Sequence, residues 1–155
     1  MIEPILILGV GNLLVGDEGV GVHVVRALEE MEWPEHVHLL DGGTGGFHLL
    51  SYFSDYKRII LIDATRDGER VGTIQEFTPR LPSDFPPSLG AHDIGLKDLI
   101  GAAALTGPLP QMTVVTVSIE ELKPMELELS PAVKASVPQV CEKVRQLLAL
   151  NEVLP

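Results

Sequence analysis

The sequence lacks most of what would make it a disulfide-stapled, nucleic-acid-binding or membrane protein. Its 155 residues contain one cysteine, Cys141, so no internal disulfide can form. Lys and Arg together number 11 against 22 Asp and Glu, a formal net charge of −11, and no basic run occurs anywhere. Without clustered cations there is little to neutralise phosphates, so no nucleic acid and no anionic membrane surface is expected as a partner. The apolar runs fall far short of the roughly 20 residues that span a bilayer. The opening MIEPILILGV has no basic segment ahead of its short apolar run, so no export signal is visible and a cytoplasmic location is expected. Three chemical signatures are also missing: there is no G-x-S-x-G, no H-E-x-x-H and no C-x-x-C.

What is present suffices for one core. Hydrophobic residues make up 45% of the chain and mean hydropathy is +0.24, and the length suits a single domain over residues 1–155. Residues 5–10, ILILGV, form a continuous apolar run ending in glycine, as a strand buried on both faces does. After a loop at 11–16, Val20, Val24, Ala27, Leu28 and Met31 recur at helical spacing with Glu29, Glu30 and Glu32 opposite. This predicts an amphipathic helix that stops before Pro34. Residues 37–40 give a second strand, DGGTGG at 41–46 breaks the pattern, and Phe47, Leu50 and Phe53 resume at helical spacing. Residues 58–62 and 71–77 read as further strands, and 78–90, with four prolines, is the longest loop. A helix at 94–105 and a strand at 112–117 follow. A terminal helix opens with Ser130 as its cap and Pro131 in its first position, and Pro138 is expected to kink it or delay its start. Strands alternating with helices predict an α/β fold, a three-layer sandwich with a mainly parallel central sheet and helices on both faces. Ligands in such sheets bind beyond the carboxyl ends of the strands where strand order reverses. That rule points to the residues after Val10, Leu40 and Ile62.

The loop after the first strand, GVGNLLVGDEG at 9–19, begins like a dinucleotide-binding fingerprint but has Leu14 where the third glycine belongs. It also sets Asp17 and Glu18 at a helix start, where they would repel a pyrophosphate, and the first Lys or Arg of the chain is Arg26. The two carboxylates read either as caps that complement the helix dipole or as chemistry, and one would be enough for capping. Asp63, directly after Ile59-Ile60-Leu61-Ile62, stands at the carboxyl end of a central strand and reads as a turn cap, a metal ligand or an acid/base residue. His23, His36, His38 and His48 lie on or beside predicted elements and read as packed or solvated. His92 stands apart, at the end of the long loop. Glu18, Asp63 and His92 together offer two oxygen donors and one imidazole, a set suited to a borderline divalent ion such as nickel or zinc, although three scattered residues form no spacing motif. Cys141, within the terminal helix, reads as a small core residue.

The segments GVGNLLVGDEGVG, DGGTGG, LIDA and AHDIGL, in this order, resemble those of the hydrogenase maturation proteases of nickel–iron hydrogenases, and the similarity runs over nearly the whole chain. The resemblance implies an α/β sandwich and an endopeptidase that removes a short C-terminal extension from the hydrogenase large-subunit precursor once nickel is installed. It implies metal-binding residues at Glu18, Asp63 and His92, a further acidic site residue at Asp41, and a substrate-contacting loop of Gly42, Gly43 and Thr44. The nickel would then be that of the substrate precursor, locating the scissile segment while a carboxylate helps water attack the peptide. Some family members carry aspartate where Glu18 stands. Two other classes use part of the same features: a nickel-binding maturation chaperone with the same three ligands and no hydrolysis, and a nucleotide-binding oxidoreductase built on the glycine loop.

Overall fold

The computed structural model describes residues 2–85, 94–120 and 123–153. In chain order the elements are β1 (Ile5–Gly9), α1 (Val20–Glu29), β2 (Val37–Asp41), α2 (Leu50–Asp55), β3 (Arg58–Thr65), β4 (Ile74–Phe77), α3 (Ile94–Thr106), β5 (Gln111–Ser118) and α4 (Pro131–Val153). Single 3-10 turns at Gly16–Gly19 and Phe47–Leu49 lead into α1 and α2.

The all-apolar strands leave no face for solvent, and the chain satisfies them by covering both. Ile5, Ile7, Ile60, Ile62, Val115 and Val117 pack with Val20, Val24 and Leu28 of α1 and Val140 and Val144 of α4. Their neighbours in the alternation, Leu6, Leu8, Ile59, Leu61, Met112 and Val114, pack with Leu49, Phe53 of α2 and Leu99 and Ile100 of α3. Each such buried side chain contributes roughly 1.5–3 kcal/mol over leaving it exposed. The result is the expected three-layer sandwich.

The five strands lie in the order β2-β1-β3-β5-β4, parallel except for β4, which runs antiparallel to β5 at the edge. The chain steps from β1 to β2 on one side, then crosses to β3 on the other. Strand order therefore reverses between β1 and β3, and their carboxyl ends define the switch point. No helix among the described residues is long and apolar enough to cross a membrane.

Element boundaries differ from the expected ones where bonds from elsewhere decide them. α1 stops at Glu29 because its last turn tightens: Glu30 N–H bonds the Ala27 carbonyl at 3.2 Å and Met31 N–H the Leu28 carbonyl at 3.0 Å. The Trp33 indole N–H adds a bond to that Leu28 carbonyl at 2.8 Å. The strand expected at 71–77 begins only at Ile74, because Gly72 turns with φ +90° and Thr73 N–H closes onto the Arg70 carbonyl at 3.0 Å. α4 runs through Pro138 and opens at Pro131, so of the two effects expected of that proline the delayed start does not occur. The Ser130 carbonyl accepts Lys134 N–H at 2.8 Å, so the helix opens at Pro131, and Pro138 sits exposed, where the lost backbone bond faces water.

Candidate active site

Beyond Gly9 the chain passes over the end of the sheet, with Val10 N–H bonded to the Ile62 carbonyl at 3.0 Å. α1 starts so close to this point that a Cβ on Gly21 would lie 2.3 Å from the Val10 carbonyl oxygen and 2.4 Å from that of Ile62. Only glycine permits that approach. Gly11 does the same for the intervening loop: its φ is +152°, and a Cβ there would meet the Glu18 carbonyl oxygen at 2.3 Å. The turn Gly16–Gly19 is thereby seated against β3, with the Glu18 side chain fully buried, 0% exposed.

The N-cap of α1 is Gly19, which has no side chain to cap with, and Asp17 and Glu18 stand in the turn just ahead of it. Asp17 reaches across the molecule instead. One of its oxygens accepts the Ser130 backbone N–H at 2.7 Å and the other the Ser130 hydroxyl at 2.7 Å, tying the first loop to the start of α4. A second tie runs beside it, from Gly16 N–H to the Glu126 carbonyl at 2.7 Å.

Asp63 lies within β3 rather than after it, because β5 accompanies β3 three residues further than β1 does. The β1 pairing ends at Gly9 and Ile62, whereas Asp63, Ala64 and Thr65 pair with Thr116, Val117 and Ser118. Alternation with Leu61 places Asp63 on the α2 and α3 face, 0% exposed, and its Oδ1 accepts Ala64 N–H at 2.8 Å. Thr65, Thr116 and Ser118 share that face and are buried with it. Residues 112–117 read in the sequence only as a strand. The signal for more was the alternation Met112, Val114, Thr116, Ser118, in which an apolar row turns to hydroxyls.

Asp41 ends β2, exposed, and its Oδ1 accepts Gly43 N–H at 2.9 Å, which is the turn-cap role. Its loop is stitched to the residues after β1: Gly42 N–H bonds the Gly9 carbonyl at 2.8 Å and Gly11 N–H the Gly43 carbonyl at 2.7 Å. Gly43 and Thr44 thus stand at the same end of the sheet as the Glu18 turn. His92 lies outside the described residues, and among the described residues no three His, Cys, Asp or Glu side chains group as a metal-holding set. Of the other titratable groups singled out in the sequence, His23 on α1 has its imidazole pKa lowered, first by burial and then by Arg26. Burial pushes the Cys141 thiol up, in the core shared by α1 and α4.

Two buried carboxylates, Glu18 and Asp63, thus lie at the switch-point end of a parallel sheet, with hydroxyls beside one and a glycine loop stitched alongside. Residues 22–147 match the hydrogenase maturation protease family. The hydrogenase 2 maturation protease of Escherichia coli (strain K12) is 38% identical over 152 residues, covering 96% of this chain and 91% of that protein. HupD of Rhodobacter capsulatus, a hydrogenase expression/formation protein, is 36% identical over 155 residues, covering 95% and 72%. Among solved structures, the hydrogenase maturating endopeptidase HybD from E. coli is similar at a TM-score of 0.83 and 37% identity, with 97% of this chain and 94% of that one covered. A hydrogenase 2 maturation peptidase from a Thaumarchaeota archaeon gives 0.75 and 29%, with 96% and 99% covered. The chain belongs to the hydrogenase maturation protease family.

Proposed function

We propose that this protein is a cytoplasmic endopeptidase that removes the C-terminal extension of a nickel–iron hydrogenase large-subunit precursor after nickel insertion. The observation that supports this reading is the pair Glu18 and Asp63, both 0% exposed, at the switch point of the sheet in a chain of this family. Carboxylate oxygens at that depth suit a divalent ion that arrives with the substrate, and the family resemblance adds His92 as a third ligand. In this reading the three residues hold the precursor's nickel as part of the recognition signal and so fix where the scissile segment lies. The ion supplies Lewis-acid polarisation when bound. A carboxylate of the site accepts the proton of the attacking water, whose oxygen joins the scissile carbonyl carbon as its bond to nitrogen breaks, and the proton passes to the departing amine. The loop of Gly42, Gly43 and Thr44 lies alongside as a contact for the extended substrate, with Asp41 fixing its turn. A non-hydrolytic chaperone is not favoured, because the relatives carry protease and endopeptidase names.

The test is release of the C-terminal fragment from purified precursor, loaded or not with nickel. The wild-type protein is expected to cut only the loaded form, and Glu18→Gln and His92→Ala to leave it uncut with unchanged circular dichroism. Equal cutting of both forms removes nickel from the recognition signal, and wild-type rates in either variant remove that residue from the site. A wild-type protein that binds precursor and never cuts it restores the chaperone reading.

A further inference from the structure

On the sheet face that carries Asp63, side chains change from apolar to polar at one level on two adjacent strands. Along β3 the row runs Ile59, Leu61, Asp63, Thr65, and along β5 it runs Met112, Val114, Thr116, Ser118. The parallel register sets Thr116 opposite Asp63 and Ser118 opposite Thr65. Thr116 and Ser118 are each 0% exposed, and among the described residues neither hydroxyl has a hydrogen-bond partner. The Ser118 backbone, by contrast, is fully engaged: its N–H bonds the Thr73 carbonyl at 2.9 Å and its carbonyl accepts Gly72 N–H at 2.8 Å.

A buried hydroxyl without a partner is destabilising, and valine or alanine would fill these positions without that cost. The hydroxyls stand where the face meets Asp63, which itself lies at the same depth. Neighbouring strands are about 4.8 Å apart, so Thr116 is within reach of a group held against Asp63. The two hydroxyls are also two residues apart on one strand, roughly 6.6 Å, which is the repeat of same-side carbonyl groups along an extended peptide.

We propose that Thr116 and Ser118 are substrate-binding residues, their hydroxyls donating to successive same-side backbone carbonyls of the extended peptide segment presented to Asp63. The proposal rests on the endopeptidase reading of the Asp63 site. The partner for each hydroxyl arrives with the substrate, where the described residues offer none.

The experiment compares Thr116→Val, Ser118→Ala and their double variant with Thr116→Ser, which keeps the hydroxyl. Three quantities are read: thermal melting of the free protein, affinity for nickel-loaded precursor by titration, and steady-state cleavage. Each hydroxyl deletion is expected to weaken precursor binding and raise KM about tenfold with kcat nearly kept. The melting temperature is expected to stay level or rise by about 2–4 °C, and Thr116→Ser to bind like wild type. Unchanged affinity and KM overturn the proposal. So does a melting temperature several degrees lower, which would mean that protein or a bridging water already satisfies the hydroxyls. Thr116→Ser behaving as poorly as Thr116→Val would show that shape matters and the hydroxyl does not. Precursor that binds the wild-type protein and is never cut overturns the endopeptidase reading instead, and the affinity and melting comparisons then still decide the role of the two hydroxyls.

Discussion

Asp17 and Glu18 are chemically near-identical neighbours with opposite fates. A 3-10 turn spaces consecutive side chains by a third of a revolution, so when one faces the core the next faces outward. Glu18 goes to the sheet and Asp17 to Ser130. Asp17→Ala removes both acceptor oxygens from the α4 cap and is expected to cost about 1–2 kcal/mol of stability in urea unfolding, with turnover per folded molecule retained. Turnover falling in step with Glu18→Gln would instead put Asp17 in the chemistry. The place of Asp63 at the end of the sheet was legible because it follows an apolar run that had to be a buried strand, whereas Glu18 stands in the loop beyond Val10 and its burial was not legible. Asp17's role was not legible, since its partner stands 113 residues away and no local pattern links the two. The hydroxyls of Thr116 and Ser118 were also missed, because threonine and serine suit a strand well enough to pass without question.

Element types followed from hydrophobic period, and their ends did not, because tertiary bonds set the ends. β3 is the clearest case: Asp63 continues the strand because β5 is long enough to pair with it. α4 shows the converse, a helix that tolerates proline because the ring is exposed and only one backbone bond is lost. Pro138→Ala restores that bond, to the Lys134 carbonyl, and is expected to stabilise the protein by about 1–3 kcal/mol in chemical denaturation, with no change in processing. On α1, burial aided by Arg26 keeps His23 neutral to a pH below its ordinary 6.5. As pH falls below 6.5 the unfolded chain takes up the proton first, so stability is full above that value and declines below it until the folded His23 protonates too. His23→Gln is expected to flatten this part of the melting-temperature profile, and an unchanged slope between pH 6.5 and 5 would assign the decline to carboxylates.

At the scale of the whole molecule, the sequence implied a three-layer α/β sandwich but not the strand order β2-β1-β3-β5-β4, because order depends on which long-range pairings win. The antiparallel β4 is likewise invisible in a run of four residues that would suit either direction. The glycine segments carried the family, since close approaches such as that of Gly21 to two carbonyl oxygens tolerate no other residue. Cys141 is buried in the α1 and α4 core, its thiol pushed away from the reactive thiolate form. Processing is therefore expected to survive cysteine alkylation and serine-protease inhibitors applied to the folded protein, as read by fragment release from loaded precursor. Loss of activity on selective modification of Cys141 in protein of native circular dichroism would contradict this.

The clasp between Asp17 and Ser130 also sets an order in time. During synthesis the turn that carries Glu18 emerges early, yet the group that fastens it is 113 residues behind on the ribosome. Until Ser130 is out, the Gly16–Gly19 turn lacks its tie to α4, so the first loop is fastened only late in synthesis.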